Sequence, residues 1–599
     1  MADVDMADAE TPPLCQGGFG LHRHEQTMAN TEDRATLKKA YDGLRTANEE
    51  LSRLNVSGHN LRETQDPLRH SINKLSRPFL RNLHILDMPD EILLLILNLV
   101  RGSQHDKRSE WHIGTEDIRN CRLTCRRLCS LGDPMLIRLI RLRLTPSSLE
   151  RLGEISRHPT ISKGVQAIRV VLCAYKRRFN DDVNELIDFH LGEVGRILAI
   201  IEIKECWVHG DGPHNRRHFS EEEWLEVVSK ARTTLAAWRQ FQETGSCDDE
   251  QHRVLLETTH QKYQGLYEVQ ESIRWHKVLP RAVASAVARM PRVRSLQFDG
   301  ADPWAFELRS FIRPGEDVHG AIYHTMLEPT TAHHADDQRL DVDSCIFIPK
   351  TIHYVRETGI RLHSIVINLS FLEDIQYLLP RPKHQEGVLS TMQQLRDFKL
   401  HINRCASEDH SEKLVQVLKL HLDAPNLERL TLSLWEGNSG WGVGWGVGLT
   451  SHPWRNLTNI EMCGIALDLS DLRIFLKRIQ PTLIALTMQL FELRTGTWEE
   501  ALDALREKSY RSFEIILPSG AECNDLPKQE VDEIFAYDHG DTGMSRVELY
   551  VRNLLTDNPL RVIRDNEETV QDDADNTEAN VEDTEGLEGN LDNTQGDTA

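Results

Sequence analysis

A chain of 599 residues has room for several domains or one long repeat array, and for a sizeable core. Its 39 % apolar and 27 % charged residues are those of a water-soluble protein. The net charge of -23 is unevenly placed: residues 565–599 hold 13 acids and no base, leaving -10 elsewhere, and no large basic block invites nucleic acid as the main partner.

The N-terminal MADVDMADAETPPL is acidic and without an apolar run, so it is not read as a secretory signal, and residues 1–30 are expected to be disordered. Residues 31–75 are expected to hold an amphipathic helix. Leu37, Tyr41, Leu44, Asn48, Leu51 and Asn55 alternate at four and three, a short heptad seam that stops at Gly58. A short coiled coil joining two copies and a helix that is solvated or packed within its own chain fit this seam equally.

LDMPDEILLLILNLV, residues 86–100, raises a sharper question. From Ile92 to Val100 only Asn98 is polar, whereas an ordinary amphipathic helix keeps a polar back. Pro89 suits a first helical turn, and Asp90 and Glu91 suit its positive end. A second helix is expected from Thr115, with Ile118, Cys121, Cys125 and Leu128 on one face, and a third after Pro134, in MLIRLIRL. Three small helices do not enclose a first helix that is apolar all round, so part of it is expected to meet another protein.

The 11 cysteines are an odd number without CxxC spacing, which suits reduced thiols in an intracellular protein, cytoplasmic or nuclear. Cys121, Cys125 and Cys129, at i, i+4 and i+8, are placed by that spacing on a common side of a helix. With Arg119, Arg122, Arg126 and Arg127 around them and no fourth ligand, they read as small buried hydrophobes, not a metal site. KRR at 176–178 reads as solvated loop charge. Residues 183–203 and 220–242 are expected to be helices, the second opening with a capping box, Ser220 to Glu223. It carries Trp224, Val228, Ala231, Leu235 and Trp238 on one face. HGDGPHNRRH, 209–218, has three histidines but no Cys or carboxylate at ligand spacing, so no metal is assigned.

A short pattern, apolar-x-x-apolar-x-apolar, then recurs. It appears at Val165/Ile168/Val170, Val293/Leu296/Phe298, Leu362/Ile365/Ile367, Leu395/Phe398/Leu400 and Leu427/Leu430/Leu432. Further copies are Leu457/Ile460/Met462, Leu483/Leu486/Met488 and Tyr510/Phe513/Ile515. Helical stretches such as SEKLVQVLKLHL (411–422) and LSDLRIFLKRIQ (469–480) lie between copies. One strand and one helix at this period predict an irregular leucine-rich-repeat-like solenoid over 146–520, with 299–361 as an insertion. A generic α/β domain is the alternative. Only Asn403 stands at the expected asparagine-ladder position.

GNSGWGVGWGVG, 437–448, has no Lys-Ser/Thr and no helix to aim at a phosphate, so it is read as a flexible inter-repeat loop with Trp441 and Trp445 as candidate substrate contacts. Residues 521–563, including GMSRVELYVRNLL, are expected to cap the array, with 564–599 a disordered acidic tail. GxSxG, HExxH, GxxxxGK[ST] and the kinase signatures are absent, so no catalytic residue, metal or cofactor is assigned. No run approaches the roughly 18 apolar residues of a membrane span, so no membrane is expected either.

Residues 84–172 resemble the F-box region of filamentous-fungal F-box proteins. LDMPDEILLLILNLV carries the leucine–proline–glutamate opening with Met88 in place of the commoner Leu, and DIRNCRLTCRRLCSL is similar to the second helix. LTPSSLERLGEISRHPTISKGVQAIRVVL looks like the segment after the box. The stretch from Arg101 to Gly114 is longer than the family's usual connection. The resemblance implies an α+β or α/β repeat protein with a three-helix F-box at 80–145. It also implies a non-catalytic substrate receptor of a Skp–cullin–F-box ubiquitin ligase. By matching position it places Leu86, Pro89, Glu91, Ile92, Ile96, Leu97, Ile118, Leu123 and Cys125 in contact with a Skp-type adaptor, and through it a cullin, some of them serving as internal core instead. The alternative is an F-box scaffold outside the ligase.

Residues 565–599 are too acidic and polar to repay the entropy of ordering. Deleting them is expected to leave the melting temperature unchanged; a drop of several degrees in calorimetry would assign the tail a structural role.

Overall fold

The computed structural model describes residues 84–101, 115–192, 221–246, 249–300, 345–369, 375–402, 411–434, 445–450, 454–479, 483–524, 526–535 and 544–561, with a few isolated positions besides. The seam residues Leu37 to Asn55, the 209–218 loop, Asn403, Trp441 and the tail lie outside them. The chain divides into two units between Leu99 and Val100.

Most of the first unit's described length is helix α1 (Asp90–Val100), entered through a 3-10 turn at Ile85–Asp87. That turn closes on itself, His84 N–H donating to the Asp87 carboxylate at 2.9 Å and Asp87 N–H to the His84 carbonyl at 2.8 Å.

The second unit begins with α2 (Thr115–Thr124) and α3 (Arg126–Gly132). The single helix expected here breaks at Cys125, whose backbone is extended at φ -159°, ψ 160° and whose Sγ accepts from Leu128 N–H at 3.5 Å. Cys125 is therefore an N-cap, and Cys121, Cys125 and Cys129 do not share a continuous helical face. Asp133, at the end of α3, joins two flanking segments: it pairs with Arg122 at 2.5 Å and accepts from the Thr160 hydroxyl at 3.1 Å.

The third expected helix is not formed. Asp133–Met135 is a 3-10 turn and Leu139–Leu142 is strand β1, because Ile140 and Leu142 alternate with arginines and find a partner strand. Nine strands build one sheet: β1, β2 (Ala167–Val171), β3 (Ser295–Asp299), β4 (Ser364–Leu369), β5 (Asp397–Ile402), β6 (Arg429–Leu434), β7 (Asn459–Cys463), β9 (Ala485–Gln489) and β11 (Ser512–Ile516). Every neighbour pair is parallel and the strands lie in chain order. β8 (Ala466–Leu467) and β10 (Glu492–Leu493) add a short parallel ladder beside the last strands, extended by a bridge from Glu492 to Ser519.

The register lines up the recurring pattern. Ile140, Ile168, Leu296, Ile365, Phe398, Leu430, Ile460, Leu486 and Phe513 form one buried row. Two residues on, Leu142, Val170, Phe298, Ile367, Leu400, Leu432, Met462, Met488 and Ile515 form another. Helices α4 (Pro146–Arg157), α8 (Val278–Arg289), α9 (Phe347–Glu357), α10 (Pro382–Met392), α11 (Ser411–Leu422), α12 (Trp445–Leu449), α13 (Leu469–Arg478) and α14 (Trp498–Arg506) contribute the other wall of the same core. The expected insertion at 299–361 is corrected at its end: α9 buries Phe347, Ile348, Ile352 and Val355 in this core.

Between β2 and β3 stand α5 (Arg177–Asp181), α6 (Glu221–Thr244) and α7 (Glu250–Trp275) around a second core that includes Phe179, Leu235, Trp238 and Tyr263. Within α6, Val228, Ala231, Leu235 and Trp238 are buried as their spacing predicts. Past β11, α15 (Lys528–Phe535) and α16 (Arg546–Val551) close the array. There the Asp503 carboxylate accepts from the Tyr550 hydroxyl and from Asn558 Nδ2, and Arg561 pairs with Glu499 at 2.6 Å.

Left-handed backbone recurs just after three successive strands, at Gly464, Leu490 and Leu517, with φ of 66°, 47° and 50°. A non-glycine residue there costs about 1–2 kcal/mol, and Leu517, 55 % exposed, recovers little by burial. Leu517→Gly is expected to leave stability unchanged or slightly raised. Gly164→Ala is expected to cost about 1–3 kcal/mol, because a Cβ there meets the Pro134 carbonyl at 1.6 Å. Chemical denaturation of the two variants checks the ordering.

His421 lies inside the core, stacked on Phe398, its Nδ1 2.8 Å from the Val417 carbonyl. Burial pushes it from 6.5 to about 4. His384 is also lowered to about 4, first by burial and then by the nearby His353, Lys383, Lys350 and Arg381. The unfolded chain takes up protons first, so the stability these neutral rings carry is complete above pH 6.5 and is lost as pH falls toward 4. Melting temperature is expected to decline through that window, less steeply in His421→Leu.

Candidate functional site

In α1, Ile92 and Leu93 N–H both donate to the Pro89 carbonyl, at 3.1 and 3.0 Å. Leu93 and Leu97, four residues apart, are buried. Ile92, Leu95 and Leu99 fall on the other side at spacings of three and four, and all three are open to solvent, Leu95 at 58 % and Leu99 at 68 %. Ile85 and Leu86, in the preceding turn, are exposed too. The helix therefore has one buried edge and one bare apolar stripe, with Asn98 turned back on the Leu94 carbonyl at 2.9 Å.

The nine residues named from the sequence divide between the two units. In the first, Leu86, Pro89, Glu91 and Ile92 are exposed, Ile96 is half-buried and Leu97 is buried. In the second, Leu123 is 85 % exposed, Cys125 is half-buried as the cap of α3, and Ile118 is fully enclosed. Leu97 and Ile118 are thus interior residues. Sequence reasoning missed Leu95 and Leu99, which their spacing from Ile92 marks as one stripe.

The sheet offers a second surface. Between the two buried rows runs an outward row: Arg141, Arg169, Gln297, Val366, Lys399, Thr431, Glu461, Thr487 and Glu514. Lys399, Arg429 and Glu461 are exposed and Thr431 is half-buried, while Phe398, Leu430, Leu432 and Ile460 beside them are buried, as strand alternation predicts. Polar links cross the strands: Arg169 Nε donates to Gln297 Oε1 at 2.8 Å, Asn368 Nδ2 to Asp299 Oδ1 at 3.0 Å, and Arg429 pairs with Asp397 at 3.2 Å. Charge changes along the row, from arginine on β1 and β2 to glutamate on β7 and β11.

The glycine-rich loop is corrected in its second half. Trp445 opens the short helix α12, and Gly446 and Gly448 are buried where a Cβ would strike Asp471 and Leu418. The glycines permit close packing instead of flexibility. Burial, then Asp468, raises the Asp471 carboxyl. Burial likewise raises the thiols of Cys463 and Cys523, the latter to about 12, so both stay protonated near neutrality and are poor nucleophiles. Among the described residues, no group of three or more His, Cys, Asp or Glu is arranged to hold a metal ion, and no helix is long and apolar enough to cross a membrane.

No protein-family model matches the chain, and no curated protein matches it.

Proposed function

We propose that the chain is the substrate receptor of a Skp–cullin–F-box ubiquitin ligase, with α1 docking on the Skp-type adaptor and the outward sheet face holding a protein substrate. The single observation that carries this reading is the bare Ile92–Leu95–Leu99 stripe on a helix whose opposite edge is buried. Large apolar side chains clustered on a surface mark a protein contact, because leaving them in water forfeits the free energy of their burial. Three short helices before the first strand, then consecutive parallel strands in chain order, suit an F-box followed by a leucine-rich-repeat-like solenoid. In this reading the chain positions a substrate and leaves ubiquitin transfer to its partners.

Burying an exposed leucine is worth about 1.5–3 kcal/mol, so two of them set about two to four orders of magnitude in affinity. Leu95→Asp with Leu99→Asp is expected to weaken binding to a purified Skp-type adaptor by that factor, with the circular dichroism spectrum unchanged. Adaptor binding that survives in this variant counts directly against the F-box reading. Recovery of adaptor without cullin from cells would favour a scaffold acting outside the ligase.

A further inference from the structure

The two ends of α14 differ in charge. At its first turn Glu499 N–H donates to the Glu522 carboxylate at 2.8 Å, and Glu500 stands next in the chain. Past its last turn lies a basic corner. Lys508 Nζ donates to the Ile479 carbonyl at 3.2 Å, which sets its ammonium beside the end of α13, where Lys477 and Arg478 are both exposed. Arg511, also exposed, stands at the entry to β11, its N–H donating to the Ile484 carbonyl at 2.8 Å. Among the described residues no carboxylate pairs with any of these four bases. Segments 477–479 and 507–511 bring one acid, Glu507, against them. The negative end of α13 accounts in part for Lys477 and Arg478. Lys508 and Arg511 lie past both helices, in a chain whose net charge is -23.

The same chain carries the complement. Residues 565–599, outside the described residues, hold 13 acids and no base. The chain approaches them from the acidic end of α14: between Asn553 and Arg561 it runs back along that helix, its contacts passing from Arg506 to Asp503 and Glu499. An acidic segment starting there is repelled by its nearest neighbours. α14 is 9 residues long, about 14 Å, a gap that roughly five extended residues cross. Tethering at this range holds the segment around the basic corner at about millimolar effective concentration. We propose that residues 565–599 dock in cis on the corner formed by Lys477, Arg478, Lys508 and Arg511, and so keep other polyanions from it. The contact joins solvated charges, so it is screened by salt and adds little to the melting temperature. It does not rest on the ligase reading.

The full-length protein is treated with a water-soluble carbodiimide, which joins a carboxylate to a lysine amine only where the two touch, and the joined peptides are mapped by mass spectrometry. At low salt, carboxylates of 565–599 are expected to join Lys477 and Lys508 about fivefold more often than the exposed Lys262 and Lys399, the factor that one surface ion pair confers. At about 0.5 M salt, with a screening length of roughly 4 Å, that preference is expected to vanish. Arg478→Glu with Arg511→Glu changes exposed side chains and leaves both lysines in place. This variant should match the parent in circular dichroism and lose the preference even at low salt. Mixing isotope-labelled with unlabelled protein tells cis from trans. Links between a labelled and an unlabelled chain would overturn docking in cis in favour of a second copy. Links spread evenly over the four lysines, absent from Lys477 and Lys508, or unchanged by salt or by the double substitution would overturn the docking itself. If the double variant does not fold, the salt comparison on the parent decides.

Discussion

Two rows of apolar side chains, two residues apart on every strand, run the length of a sheet in which each strand pairs in parallel with the next. Strand geometry sends the residue between them to the other face, so the same register that builds the core also lays out the polar row. A one-residue slip at any strand would put Phe398 or Leu432 in water and Lys399 or Thr431 in the core. Helix α4 and helices α8 to α14 supply the second wall, which is why each strand–helix unit depends on its neighbours. Such an arrangement leaves two ends to cover. Past β11, α15 and α16 do so with Phe535, Val547 and Val551 turned inward. Before β1, the Asp133 junction ties the end of α3 to Arg122 and Thr160.

Where the chain leaves this regular scheme, buried polar groups set its course. Past β2, Leu172 N–H still donates to the Asp299 carbonyl at 2.8 Å, and beyond it α7 supplies side-chain partners to the backbone. Gln270 accepts from Tyr175 N–H at 2.7 Å and donates to the Tyr175 carbonyl at 3.1 Å, and the Tyr263 hydroxyl accepts from Lys176 N–H at 2.7 Å. Gln264 donates to the Asn180 carbonyl, and His260 Nε2 lies 3.0 Å from the Phe179 carbonyl oxygen. A backbone run with unmet hydrogen bonds would be costly against an apolar core, and these side chains of one helix meet several of them. Burial raises the Tyr263 phenol far above its ordinary value, so this anchor keeps its proton at any physiological pH.

These same features separate what the sequence disclosed from what it concealed. All eight copies of the recurring pattern became strands, because period-two alternation is a local signal and the register only had to agree with it. β1 was hidden: in MLIRLIRL the apolar residues also fit a helical face, and pairing with β2 settled the choice. Helix α7 went unread although it is 26 residues long, since its inward positions include His252, Thr259 and Gln270, which an apolar count ignores. The break at Cys125 was equally silent, a thiol being an unusual cap. At the candidate site the sequence located the helix and its shortage of polar positions. Which side of α1 stays open was settled by Leu93 and Leu97 turning inward, a choice that an almost wholly apolar helix leaves undetermined.

That choice matters because an exposed leucine by itself says little; much of any protein surface is apolar. Leu517, Leu554 and Trp275 are exposed at separate places in the chain, each at or near the end of an element. On α1 the exposed residues are instead ordered by helix geometry, with Ile92, Leu95 and Leu99 on one stripe and Ile85 and Leu86 at its entrance. The 3-10 turn and the acidic first turn fix that stripe in the free chain, so a partner docking there, as proposed, would cost little ordering entropy. The sheet face is of another kind: its side chains already satisfy one another across strands, through Arg169–Gln297, Asn368–Asp299 and Arg429–Asp397. A partner there must displace or extend those links, which favours discrimination over raw affinity. Under the proposed function, the α1 stripe would serve constant attachment and the sheet face would serve selection.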